Sequence, residues 1–266
     1  MVQTVPRQKA RRVRRQRTRI LISICVLYRR NLSHGFLRNE GKAVTIQANG
    51  KTYARHAITT HFVQVGENYI DLLERYVIPV YQPGDILSAS EKVIALCQGR
   101  VVTEEQVKPG FWAKLLSRFV HQTAAGPGMG LPVKMQFAIN FCGLGKVLKA
   151  AVCAGLNKLR GIHGTFYDML DDEVRGLDGF WGRDIPEYAH IGIRIPSKPD
   201  KVCDEVYLKT GIVMMVVDAN DLTVELLGKS EQLQNWPDSQ LLALIVDNPA
   251  GQDRQLTPFI LIREIS

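Results

Sequence analysis

The chain predicts a mixed α+β fold, and three features of its 266 residues carry that prediction. An Asn49-Gly50 step separates two β-like runs, a strong signal for a two-residue hairpin turn. Helical periodicity fills the middle of the chain, at 111–170. Strand patterns then return, led by the β-branched and Met-rich run at 212–217.

Taken in order, residues 43–48 and Lys51–Ile58 form the hairpin strands. Ile70, Leu72, Leu73 and Val77 fall at helical spacing, which predicts a helix over Tyr69–Tyr76 after a connection at 59–66. Pro83-Gly84-Asp85 makes a turn into a strand at Ile86–Ser90. A second extended run is expected over 93–97, ending at Gln98-Gly99-Arg100. Thr103 and Gln106 have the capping-box spacing, and Pro109 limits any helix there. Residues 111–121 are amphipathic, the glycine-rich stretch 125–130 breaks the chain, and 136–160 is helical again with a bend at Gly143-Leu144-Gly145. Strands follow at 212–217 and 223–227, Pro237 opens a helix over 237–246, and 258–265 is a terminal strand. Residues 40–266 therefore read as one domain with a helical insertion at about 107–170, preceded by a basic, disordered extension at 1–39.

Charge is distributed unevenly. Residues 1–39 hold 11 of the 34 cations and no acid, which leaves 23 cations against 26 acids in the remainder. The basic isoelectric point belongs to the extension, and a uniformly basic nucleic-acid-binding domain is excluded. Arg7, Lys9, Arg11, Arg12, Arg14, Arg15, Arg17 and Arg19 resist compaction by repulsion. The extension reads as a transit peptide, a membrane-surface anchor, a nucleic-acid arm or an upstream addition without a chemical role. Nucleic acid or an anionic membrane is thus a partner of the extension alone. The apolar run at 20–28 is too short to span a bilayer, and lysines and asparagines interrupt 137–160, which predicts a soluble helix pair. Cys25, Cys97, Cys142, Cys153 and Cys203 are scattered, which fits a reducing compartment and a cytoplasmic location.

The segment Val216-Val217-Asp218-Ala219-Asn220-Asp221 brings Asp and Asn to the end of a buried strand. Such hard oxygen donors suit Mg²⁺ or Mn²⁺ shared with nucleotide phosphates, and the same residues also suit an ordinary turn. Gly176-Leu177-Asp178-Gly179 presents a second acid beside glycines, again as ligand or turn. Gly126-Pro127-Gly128-Met129-Gly130 and Pro249-Ala250-Gly251-Gln252-Asp253-Arg254 are glycine-rich, but neither matches an established phosphate-loop pattern. The six histidines show no ligand spacing, and no Ser–His–Asp or Cys–His arrangement is present in the pattern.

Read together, the run from Gly84-Asp85-Ile86 through Glu91-Lys92 to Gln98-Gly99-Arg100, followed by Gly176-Leu177-Asp178 and Val216-Val217-Asp218-Ala219-Asn220, resembles the gamma-glutamyl ligases of coenzyme F420. Thr257-Pro258-Phe259-Ile260-Leu261-Ile262-Arg263 is similar to that family's closing strand, and the resemblance covers roughly residues 53–106 and 170–266. It implies a mixed β-sheet body of the ligase type, often dimeric, that binds a nucleotide, GTP or ATP, with Mg²⁺ or Mn²⁺. It also implies small carboxylate and amino-acid substrates joined through an acyl phosphate. By position, Asp178 and Asp218 match the family's metal-binding aspartates, and Asn220 and Asp253 complete the candidate metal set. Thr60 and His61 fall in the family's N-terminal nucleotide loop, and with Lys92, Gly251 and Gln252 they make the candidate nucleotide contacts.

Four positions depart from the family. Leu96 stands where these ligases present a nucleotide-contacting lysine, and Lys92, on the same face of the expected strand by parity, is the candidate substitute. Ala219 replaces a hydroxyl, Trp181 an asparagine, and Gln252 an acidic ligand. The alternative to a ligase is therefore a non-catalytic nucleotide- or metal-binding relative.

Overall fold

The computed structural model describes residues 36–120, 128–162, 164–181, 186–220, 223–251 and 255–265. The strands are β1 (Thr45–Ala48), β2 (Lys51–Ile58), β3 (Ile86–Ser90), β4 (Val101–Thr103), β5 (Asp178–Gly179), β6 (Ile191–Ile193), β7 (Met214–Ala219), β8 (Val224–Lys229) and β9 (Phe259–Glu264). The helices are α1 (Tyr69–Tyr76), α2 (Glu91–Cys97), α3 (Phe111–Ser117), α4 (Pro132–Cys142), α5 (Leu144–Leu159), α6 (Thr165–Asp168), α7 (Asp172–Arg175), α8 (Pro199–Thr210) and α9 (Asp238–Ala243). The class is mixed α+β, as the sequence predicts.

A six-stranded sheet runs β1-β2-β9-β3-β7-β8. β1 and β2 pair with Ala48 opposite Lys51, and Asn49 (φ 55°) and Gly50 (φ 74°) both take positive φ, as a type I′ turn requires. β3 and β7 are parallel, whereas the other pairs in this sheet are antiparallel. Strand alternation splits the central strands between two cores. Leu87, Ala89, Met214, Val216, Phe259 and Leu261 face α1, α2 and α8. Ile86, Met215, Val217, Ile260 and Ile262 face the other way, onto Leu241 of α9 and the following Leu244 and Ile245. Because both faces are covered, β7 and β9 are continuous apolar runs rather than alternating ones. Each fully buried Leu, Ile or Met contributes roughly 1.5–3 kcal/mol of transfer free energy.

A three-stranded antiparallel sheet, β4-β6-β5, stands apart from the first. Helices α3 to α7 lie in the chain between β4 and β5 and share a core of their own, with Met129, Met135, Ala138, Val147, Val174 and Leu177 at its centre. α4 and α5 meet at an angle of 118° across Gly143, whose φ of 85° ends the first helix. The expected bent helix is thus two helices, and it begins earlier, with Pro132 in the first turn. Among the described residues no single helix is long and apolar enough to cross a membrane.

The run at 93–97 is helix, not strand. Glu91–Cys97 forms α2, with Val93, Ile94, Ala95 and Leu96 all buried. A short run that is apolar on every side has no period to distinguish helix from strand, which is why its pattern misleads. Gln106 does reach back to the Thr103 amide, at 3.0 Å, but residues 104–106 form only a turn.

Two residues of the family-like motif serve the fold. Asp85, 2% exposed, accepts from Arg263 Nε and Nη2 at 2.7 and 2.6 Å and from the Gln82 amide at 2.8 Å. Arg100 donates to the Ile195 carbonyl and pairs with Glu173, which also takes Arg194 at 2.9 Å. These contacts lock β9 to the turn before β3, and α7 to the small sheet.

Candidate functional site

β3 and β7 run parallel, so their C-terminal ends emerge side by side. β3 passes directly into α2 through Ser90, which places Glu91 and Lys92 in the first turn of that helix, and β7 ends with Asp218 and Ala219. Facing them, β5 of the small sheet contributes Asp178. The space between is a cleft of about 840 Å³ whose lining includes Thr60, His61, Glu91, Lys92, Asp178, Asp218, Asn220 and Gly251. Segments more than a hundred residues apart in the chain therefore meet at one place. Of the sequence-predicted site residues, Gln252 and Asp253 lie outside the described residues, as does the basic extension up to residue 35.

Asp178 is fixed by close packing beneath it. Gly179 has φ 80°, and a Cβ there would stand 2.2 Å from the Ile191 carbonyl oxygen; only glycine lets β5 approach β6 so closely. Asp178 Oδ1 accepts from the Gly179 amide at 2.8 Å, and Oδ2 pairs with Lys92 Nζ at 2.7 Å. Lys134, 7% exposed on α4, donates to the carbonyl of Leu177 at 3.1 Å and so holds the residue before Asp178. Burial alone would raise the Asp178 carboxyl. The ammonium groups of Lys92 and Lys134 outweigh it and hold the group well below the usual carboxylate range. Lys92 moves upward, chiefly through Asp178, and Lys134 moves downward through burial.

Glu91 is the opposite case. It is 7% exposed, and burial, followed by the nearby charge of Asp218, pushes its carboxyl up to about 8. Asp218 is raised as well, first by burial and then by Asp178 against the opposing pull of Lys92. Two acids raised chiefly by burial thus line a cleft with a third that is held low by neighbouring ammonium groups, a divergence of carboxyl environments that marks a candidate site.

The remaining predicted residues are more committed. His61 lies between the Tyr76 hydroxyl, 2.8 Å from Nδ1, and Glu67 Oε2, 2.9 Å from Nε2, so the imidazole is tied to α1 and its lead-in. Thr60, 6% exposed, donates its hydroxyl to the His61 carbonyl at 2.8 Å. Asn220 Oδ1 accepts from the Thr223 amide at 2.9 Å and so closes the β7–β8 connection, the turn-forming role its sequence position also suggested. Gly251, at φ 71°, closes a turn with the Asn248 carbonyl at 3.0 Å. Leu96 is 1% exposed and packs with Ala95 and Ile193 in a small core beside the second sheet. Lys92 does line the cleft, but from the first turn of a helix and not by strand parity.

Glu91 and Lys134 were not among the predicted site residues. Ser90-Glu91 is a helix-start pattern, which would have set Glu91 at a strand–helix junction. Lys134 is the one charged residue of α4, and a lysine buried there needs a partner.

Asp178 and Asp218 are the carboxylates of the cleft that could contribute to holding a divalent cation. Asp178 and Asp218 offer carboxylate oxygens to one cleft, while among the described residues no group of three or more His, Cys, Asp or Glu side chains holds a metal by itself. Mg²⁺ is commonly held in this way, by one or two carboxylates with phosphate and water oxygens completing the shell. No protein-family model matches the chain, and no curated protein is significantly similar to it.

Proposed function

We propose that the cleft joins a carboxylate to an amine at the expense of GTP or ATP, in the manner of the gamma-glutamyl ligases of coenzyme F420 that the sequence resembles. The observation that carries this reading is the convergence of Asp178, Asp218, Glu91 and Lys92 on one cleft. Asp178 and Asp218 would hold Mg²⁺ or Mn²⁺, which when bound supplies neutralisation of charge on the transferring phosphoryl group. Lys92 moves from Asp178 to the terminal phosphate and orients it. Phe62 and Tyr188, whose rings pair at 5.5 Å, and Trp181 line the same cleft and offer flat surface to a nucleobase.

The carboxylate oxygen of the acid substrate attacks the terminal phosphorus and the nucleoside diphosphate leaves, giving an acyl phosphate. The amine then attacks the acyl carbon and inorganic phosphate departs. The proton lost by the amine goes to Glu91 in its ionised form, which a carboxyl raised to about 8 adopts as the pH rises towards that value. Positioning of the two substrates supplies most of the remaining rate.

The test is phosphate release from GTP or ATP with Mn²⁺ across a panel of carboxylic acids and amino acids, with calorimetric nucleotide binding alongside. Metal-dependent binding that disappears in the Asp178→Asn/Asp218→Asn double variant supports the site, and turnover supports the ligase. Unchanged nucleotide binding in that variant overturns both. A second reading, a non-catalytic nucleotide-binding relative, is favoured by the Lys92–Asp178 pair, in which the lysine already satisfies the aspartate. It predicts binding without turnover on every pair in the panel.

A further inference from the structure

Among the described residues, one side of α5 is apolar and uncovered. At roughly 100° per residue, Leu148, Val152, Leu156 and Leu159 fall within about 80° of arc. Val152, Leu156 and Leu159 are 63, 57 and 86% exposed. The other side of the same helix buries Val147 and Ala150 in the core of the insertion. α5 is therefore apolar on both sides, while among the described residues one side meets protein. A soluble surface helix normally turns polar residues outward. Lys149 and Lys158 border the exposed stripe, one on each side, and Ile162, 52% exposed, follows beyond the helix end. Residues 106–167 contain eight cations and no acid, and the acids Asp168, Asp171, Asp172 and Glu173 follow that stretch. Among the described residues, Lys146 pairs with an acid that follows that stretch, Asp171 at 2.9 Å. Phe111 and Phe119, at and just beyond α3, are 71 and 75% exposed, adding large apolar side chains to the same insertion.

We propose that this helical insertion docks on an anionic lipid surface, with the stripe of α5 entering the interface and its bordering lysines meeting headgroup phosphates. Exposed leucines and phenylalanines argue for lipid over nucleic acid, which offers phosphates but no apolar layer to receive them. A stripe bordered by a lysine on each side repels a second copy of itself and the basic residues 7–19 alike, so neither is its complement. The 118° angle between α4 and α5 and the lysine borders place the helix along the surface rather than through the bilayer. Apolar area and lysine charge then add, and each basic residue near an anionic surface strengthens attachment several-fold. Attachment would hold the cleft enzyme at a membrane without involving the cleft.

The experiment is co-sedimentation of the full chain with vesicles of phosphatidylcholine alone and of phosphatidylcholine mixed with phosphatidylglycerol. The chain is expected to bind the anionic vesicles at least about tenfold more tightly, and salt should weaken that binding. Leu156→Glu/Leu159→Glu should reduce it by about tenfold or more, with unchanged helicity and melting temperature because both side chains are exposed. Equal binding to both vesicle types overturns the proposal, as does anionic binding that the double variant retains, which would assign attachment to another segment. If wild type is dimeric and the double variant monomeric, without vesicle binding by either, the face is an interface between copies and the proposal fails. RNA binding in place of vesicle binding, insensitive to the two leucine substitutions, also defeats it.

Discussion

The Lys92 ammonium lies 2.7 Å from the Asp178 carboxylate, joining the first turn of α2 to strand β5 of the other sheet. The two side chains are 39 and 50% exposed, so the pair contributes at most about 1 kcal/mol to stability. Its importance lies in where it puts the charge. Lys92→Met should leave the melting temperature within a few degrees of wild type and weaken nucleotide binding about tenfold or more, measured by calorimetry in Mn²⁺. A large loss of stability with unchanged binding would make the pair structural.

Glu91 gives the fold a pH signature. Its carboxyl is raised from 4.5 to about 8, chiefly by burial, so the native state binds a proton that the unfolded chain releases. Stability of the metal-free protein therefore falls as pH rises from about 4.5 to about 8 and levels beyond. Glu91→Gln removes the cost of ionisation. It should raise the melting temperature by several degrees at pH 8 and change nothing at pH 4. Thermal denaturation across that range checks the sign, and a variant no more stable than wild type at pH 8 contradicts it. Under the proposed chemistry the same substitution lowers turnover while nucleotide binding persists.

Much of the sheet is legible in the sequence because its signals are local. Asn49-Gly50 sets the hairpin by itself, since few other pairs adopt two successive positive φ angles. β7 and β9 announce themselves as apolar runs because both of their faces are covered. The same property hides α2, whose buried residues lack the polar face that would reveal helical period. Within the site, Asp178 and Asp218 stand out as acids beside a glycine or at a strand end. Glu91 is obscured by the misread helix. Lys134 is obscured by distance, because nothing local ties it to Leu177, 43 residues on. Asp85 and Arg100 sit in the run 84–100, and their contacts tie β9 to the turn before β3 and α7 to the small sheet, so packing accounts for both residues.

Gly179 should be intolerant of any side chain. Alanine there must accept φ near 80° and move a Cβ 2.2 Å from the Ile191 carbonyl oxygen. The left-handed backbone costs roughly 1–2 kcal/mol and the overlap about 1–3 kcal/mol more. Gly179→Ala is expected to lower stability by a few kcal/mol and to displace Asp178, weakening nucleotide binding beyond the fall in folded fraction. Urea denaturation and calorimetry on the folded fraction separate these effects, and a variant as stable as wild type would show that β5 and β6 can part freely.

Arg263 and Asp85 test the larger sheet in the same way. Asp85 is 2% exposed, and Arg263 reaches it through two hydrogen bonds while donating to the Val80 carbonyl at 3.0 Å. Removing the arginine leaves a buried carboxylate without its main counter-charge, a loss of about 3–5 kcal/mol, whereas replacing both partners by apolar groups costs far less. Arg263→Met should therefore destabilise strongly, and Asp85→Leu added to it should restore part of the loss, since the stranded charge is then gone. Asp85 also accepts from the Gln82 amide, so recovery stays incomplete. Denaturant midpoints of the two single variants and the double variant complete the cycle. An additive result would mean that the guanidinium and carboxylate act independently, although they touch.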